Sequence, residues 1–156
     1  MPGYPDKLKD LLRRMRNPAW VAFTWFGATA AISVMATPLH FKAETVTRAI
    51  ALDVSRVVFI GLNRLELALL VLLLVLVRAA GDARRHWGYV AALVVIVLAQ
   101  SAWLLPELSA RTDMVIGGVE PPRSMLHAAY SSSELLKLAL LLALGFRCLP
   151  AAGGRP

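Results

Sequence analysis

Two apolar stretches of this chain carry charges where hydrocarbon would surround them. In "RVVFIGLNRLELALLVLLLVLVR", Arg56, Asn63, Arg64 and Glu66 precede eleven consecutive apolar residues, Leu67 to Val77. In "HAAYSSSELLKLALLLALGF", Glu134 and Lys137 sit in the same setting. A helix crossing ~30 Å of hydrocarbon needs about 20 residues, so both spans must include these polar positions. At ~100° per residue, the polar side chains of each stretch fall on one side of their helix. A charge at a bilayer centre costs several kcal/mol, so such groups face a bundle and pair. The signs match as Arg64 with Glu134 and Glu66 with Lys137. This pattern predicts a polar seam between the second and fourth helices. Two roles remain open for it. It is either structural glue that fixes helix register, at about 1 kcal/mol or less per contact, or the lining of a substrate, ion or proton path.

Other candidates are sparser. His40 and His127 are both expected near one face of the membrane, where two imidazoles could hold a transition metal or, as an axial pair, haem. No ligand spacing within one helix supports a metal site, and ordinary hydrogen-bonded imidazoles are the plainer expectation. His86 lies among arginines and is expected to be solvated. Gln100 and Ser101 could join the seam from the third span. The single cysteine, Cys148, excludes a disulfide framework and a cysteine-rich metal site. Ser131–Ser133 have no carboxylate–histidine partners in a recognisable order. Phosphate loops, dinucleotide glycine motifs, G-x-S-x-G and H-E-x-x-H are all missing from the sequence.

The elements that must position these residues are membrane helices. Of the 156 residues, 58% are hydrophobic and 17% charged. A soluble domain averages about 25% charged, so this chain has too little polar surface to cover a water-soluble globule. Spans are expected at about 19–38, 57–77, 88–105 and 125–146, within a transmembrane domain over 18–148. Trp20 and Trp25 are expected in a headgroup belt, and Pro38 and Pro106 as helix stops. Residues 111–123, with Gly-Gly and Pro-Pro, read as an irregular loop. Residues 1–17 contain "DKLKDLLRRMRN", whose Leu8, Leu11, Leu12 and Met15 share one face of a basic amphipathic helix suited to an anionic membrane surface. Residues 149–156 form a short tail. No secretory signal is expected, because the first apolar run is too long for one.

The net charge of +7 is gathered between the apolar runs rather than spread as a nucleic-acid footprint. Ten Lys and Arg residues flank the end that carries both termini, and four flank the other. By the positive-inside rule, both termini are expected in the cytoplasm of a bacterial inner membrane.

"AWLLPELSAR" (residues 102–111) and the opening of the fourth span resemble the transmembrane-protein-205-like family of four-helix membrane proteins. In that family the fourth helix opens with His, a small hydroxyl residue four positions on and a polar residue at seven. Here these are His127, Ser131 and Glu134, the last in place of the more usual Asn. "TPLHF" and "GLN" match more loosely. The resemblance implies a four-helix membrane fold and no particular chemistry. Arg56, Asn63 and Glu66 are also similar to the R…N-x-x-E stretch of the membrane-associated eicosanoid and glutathione metabolism family, which implies glutathione binding. The basic cluster that accompanies that stretch is missing, and the first external connection is shorter.

The sequence therefore predicts an all-α polytopic protein, four antiparallel transmembrane helices behind an amphipathic interfacial helix. Its expected role is a small non-enzymatic subunit of a larger membrane complex, or a binding or translocation unit built on the seam. The alternatives are a membrane enzyme of the glutathione type or a haem- or metal-binding bundle. No cofactor is expected. Expected partners are the lipid bilayer and either other membrane subunits or further copies of the chain, with no nucleic acid.

Overall fold

A computed structural model of the chain describes residues 7–8, 15–80 and 83–149. Most of the amphipathic segment expected over 1–17, and all of the tail beyond Leu149, lie outside the described residues. The fold is all-α. Among the described residues, four helices are long and apolar enough to cross a membrane: α1 (Ala19–His40), α2 (Arg48–Ala79), α3 (Arg85–Ile116) and α4 (Leu126–Cys148).

Each pair of sequence neighbours packs together, and α1 and α4 also pack extensively on each other. Their close approach is possible because Gly145 has no side chain. A Cβ there would lie 2.8 Å from the ring of Phe23, which itself meets Phe146 edge-on. The ring of contacts runs α1–α2–α3–α4 and back to α1, so α2 and α4 stand on a diagonal. The expected direct packing of the second helix on the fourth is therefore corrected. Alternating direction puts the start of α1 beside the ends of α2 and α4. There Arg16 donates to the Ala79 carbonyl at 2.7 Å, and the Asn17 amide donates to the Cys148 carbonyl at 3.0 Å. These contacts satisfy carbonyls that a helix C-terminus leaves without partners.

The helices outrun the apolar runs. α2 starts at Arg48, where the Thr47 side chain accepts from the Ile50 amide. α3 continues past Pro106 to Ile116, so the segment read as an irregular loop is helical over its first part. It stops at Gly117–Gly118, the latter in the left-handed region at φ 77°. The Val119 amide closes this end on the Met114 carbonyl at 2.8 Å.

Neither proline ends its helix. Both instead follow a π-helical segment, Ala30–Ala36 in α1 and Gln100–Leu104 in α3. A proline cannot donate to the carbonyl four residues back, and its ring pushes that carbonyl aside. For Pro38 and Pro106 those carbonyls belong to Val34 and Ala102, which lie inside the two widened segments. Widening the turn relieves the collision and re-aims the side chains around it. The Thr37 hydroxyl donates to the Ile32 carbonyl at 2.9 Å, beside the Thr37 amide that the same carbonyl accepts across the wider turn.

Candidate functional site

Midway along the bundle, all four helices send polar side chains to the axis. α4 supplies Lys137, which is fully buried. Its Nζ lies 2.6 Å from Glu66 Oε1 on α2, 2.6 Å from Glu134 Oε1 and 2.9 Å from Gln100 Oε1 on α3. Of the ammonium's three N–H donors, two bond to Gln100 and Glu134, and Glu66 is its ion-pair partner on the side of α2. The charge count is less even. Two carboxylates, Glu66 and Glu134, face one cation, and both are at most 4% exposed.

Neutral donors surround the carboxylates. Glu66 Oε1 accepts from Trp25 Nε1 at 3.0 Å and from the Thr29 hydroxyl at 2.9 Å, both on α1. Glu134 Oε2 accepts from Ser33 at 2.7 Å, also on α1. The Gln100 amide donates to Glu134 Oε1 and to the Ser133 hydroxyl, each at 2.8 Å. Beside this centre, Asn63 Nδ2 donates to Ser101 Oγ at 2.9 Å, leaving the Ser101 proton for the Val97 carbonyl at 2.7 Å. Ser33, Gln100 and Ser101 belong to the two π-helical segments. Widened turns of this kind gather at functional sites, where they set side chains that a regular helix would aim elsewhere.

Apolar packing closes the core on both sides. Toward the termini, Leu73, Val77, Val90, Leu93, Leu141 and Leu144 belong to a continuous buried cluster. Toward the opposite end, Leu104, Leu105 and Tyr130 form a smaller one, with Phe59 stacked edge-on against Tyr130.

The structure brings Glu66, Glu134 and Lys137 together and separates the other expected members of the seam. Arg64 is exposed on the outer face of α2 and makes no hydrogen bond or ion pair among the described residues. Its expected pairing with Glu134 is corrected. Two residues from Glu66, it is turned by ~200° around the helix, and the α1 and α3 side chains occupy the places around Glu134. Asn63 faces α3 rather than α4. Arg56 lies toward the other end of α2, where it pairs with Asp53 and with Asp113 of α3.

Of the motif His127, Ser131 and Glu134, only Glu134 enters the network. His127 is exposed, and the serine that bonds there is Ser133. His86 is buried rather than solvated. Because α3 starts before the apolar run does, its imidazole turns inward to 4.0 Å from Cys148 Sγ. The Nδ1 of half-buried His40 has no hydrogen-bond partner. Among the described residues, no three His, Cys, Asp or Glu side chains cluster as metal ligands.

The first helix is the contribution that sequence reasoning missed. Trp25 is fully buried against Glu66 rather than placed in a headgroup belt, whereas Trp20 is 43% exposed. A signal was present: Trp25, Thr29 and Ser33 recur every four residues and so share one helix face.

Residues 20–116 match a family described as "Domain of unknown function (DUF4149)". The match covers more than half of the chain, and the chain belongs to this family. It contains α1, α2 and α3, and so every residue of the polar core except those on α4. No curated protein and no solved structure matches the chain.

Proposed function

We propose that this DUF4149 protein is a non-enzymatic binding and translocation unit for a small cation, with a proton as its simplest cargo. One observation carries the reading: a single ammonium, Lys137, is held between two buried carboxylates from different helices. Buried charges inside membrane spans mark ion and proton pathways by default. Here the formal count leaves room for one more positive charge. The side chains touch one another directly at hydrogen-bond distance, which leaves no gap for a peptide-sized ligand such as glutathione. A proton can join a carboxylate without moving a helix, and a metal cation would have to displace the Lys137 ammonium. The glue reading shares the same contacts but gives no reason for the unbalanced carboxylate.

The flux experiment uses purified protein in sealed liposomes under an imposed pH or sodium gradient. Wild-type protein is expected to dissipate one gradient faster than protein-free liposomes do. Glu134→Gln is expected to abolish this at unchanged protein content, with a stability loss of no more than about 1 kcal/mol. If neither gradient responds to the wild-type protein, or the variant conducts equally well, the proposal fails.

Location belongs to the same proposal. The excess of basic residues at the termini end supports a bacterial inner membrane with both termini cytoplasmic. A phosphatase fused after Pro156, active only in the periplasm, is expected to stay silent, and activity there would reverse the orientation. A specific kinship with the transmembrane-protein-205-like proteins rests on the short motifs around residues 102–111 and 127–134.

A further inference from the structure

Arg64 lies level with the buried core, yet its side chain faces away from the bundle. Eight residues separate it from Arg56, the cation of the polar end of α2, a rise of ~12 Å. The six bonds from its Cα to a terminal nitrogen, at about 1.5 Å each, contour to less than that. Snorkelling toward the headgroups therefore relieves only part of the cost of this charge.

The surface around it is built for another helix. Val57, Gly61, Arg64, Ala68, Val71 and Val75 follow a 4-3-4-3-4 spacing and are all exposed, with Val57 and Val71 above 60%. That spacing is the seam of two helices packed at a shallow crossing angle. Gly61 and Ala68 flank the arginine within one turn, and a Cβ added at Gly61 would meet nothing within 4 Å. Small residues let a neighbouring backbone approach closely in lipid, where packing and polar contacts drive association.

We infer that this face of α2 docks a transmembrane helix of another protein that carries a Glu or Asp near mid-span, paired with Arg64. The charge selects the occupant. In a two-fold dimer through this seam, its central residue would meet its own copy, placing two guanidiniums together. Lipid chains supply no acceptor, whereas a carboxylate offers two oxygens to the guanidinium fork. The inference is independent of cation binding in the core, because Arg64 shares no contact with that network.

The test uses labelled protein in liposomes with synthetic polyleucine transmembrane helices, read by energy transfer. One helix carries a central Glu, one a central Gln and one neither. The Glu helix is expected to associate with the wild-type protein about tenfold more tightly than the leucine helix, the ratio that ~1–2 kcal/mol of intramembrane pairing gives. Arg64→Leu is expected to remove that preference while thermal unfolding stays unchanged. Arg64→Glu is expected to transfer it to a helix with a central Lys. Equal association of the Glu and leucine helices would overturn the inference in favour of a lipid-facing arginine. So would a preference that survives Arg64→Leu. Energy transfer between two labelled copies of the chain that depends on Arg64 would overturn it in favour of self-association.

Discussion

Replacing Lys137 with methionine is expected to destabilise the protein by about 3–5 kcal/mol, the cost of breaking a buried ion pair from one side. The substitution leaves two carboxylates, Glu66 and Glu134, in a site that excludes water, with only neutral donors beside them. The matching substitution on the acidic side should behave differently. Glu66→Gln leaves one ammonium against one carboxylate, a balanced pair. Its amide oxygen can still accept from Trp25 and Thr29, so the expected loss is about 1 kcal/mol, the scale of a single intramembrane contact. Adding Glu66→Gln and Glu134→Gln to Lys137→Met should recover much of the loss, since neutral groups of similar shape replace a stranded charge. The measurement is thermal unfolding in one detergent at one pH. If Glu66→Gln costs as much as Lys137→Met, the excess negative charge is not a property of the site, and cation binding there loses its basis.

How much of this was legible in the sequence differs from helix to helix. Composition and apolar runs disclose four membrane helices, because hydrocarbon accepts few other structures and each span needs a long apolar segment. The acid–base pair Glu66 and Lys137 was legible from sign and depth. The pairing of Arg64 with Glu134 followed the same reasoning and failed. A helical wheel assigns sides, but only tertiary packing says which neighbour stands on each. With α2 and α4 on a diagonal, α1 and α3 supply the partners between them, and an arginine two residues from Glu66 is turned outward. The far ends of α1 and α3 were illegible for a related reason, whereas the outward extension of α2 to Arg48 was read from its mild amphipathicity. Pro38 and Pro106 read as stops under regular i to i+4 bonding, and the chain instead widens one turn ahead of each. That choice also brings Ser33, Gln100 and Ser101 to the axis, so the departure from the local rule and the polar core arise together.

Trp25 gives the second large expected effect, and it separates packing from polarity. Trp25→Ala should cost about 3–5 kcal/mol, as for large aromatic truncations in a core that closes only partly. Lipid is itself apolar, so this loss comes from the cavity and its missing contacts more than from transfer to solvent. Trp25→Phe keeps most of the ring contacts but removes the Nε1 donor to Glu66. Its expected cost is about 1–3 kcal/mol, the range for taking one hydrogen bond from a buried charged acceptor. Trp20 provides the control. It is 43% exposed and bonds through Nε1 to the Met15 carbonyl near the terminal end of α1. Trp20→Ala should therefore stay below about 1 kcal/mol, as surface changes do. Chemical unfolding of the three variants in one detergent orders them, and equal costs for Trp20→Ala and Trp25→Ala would return Trp25 to the headgroup belt. Equal costs for Trp25→Phe and wild type would instead show that Thr29 and Lys137 satisfy Glu66 alone, leaving α1 to shape the core by volume rather than by hydrogen bonding.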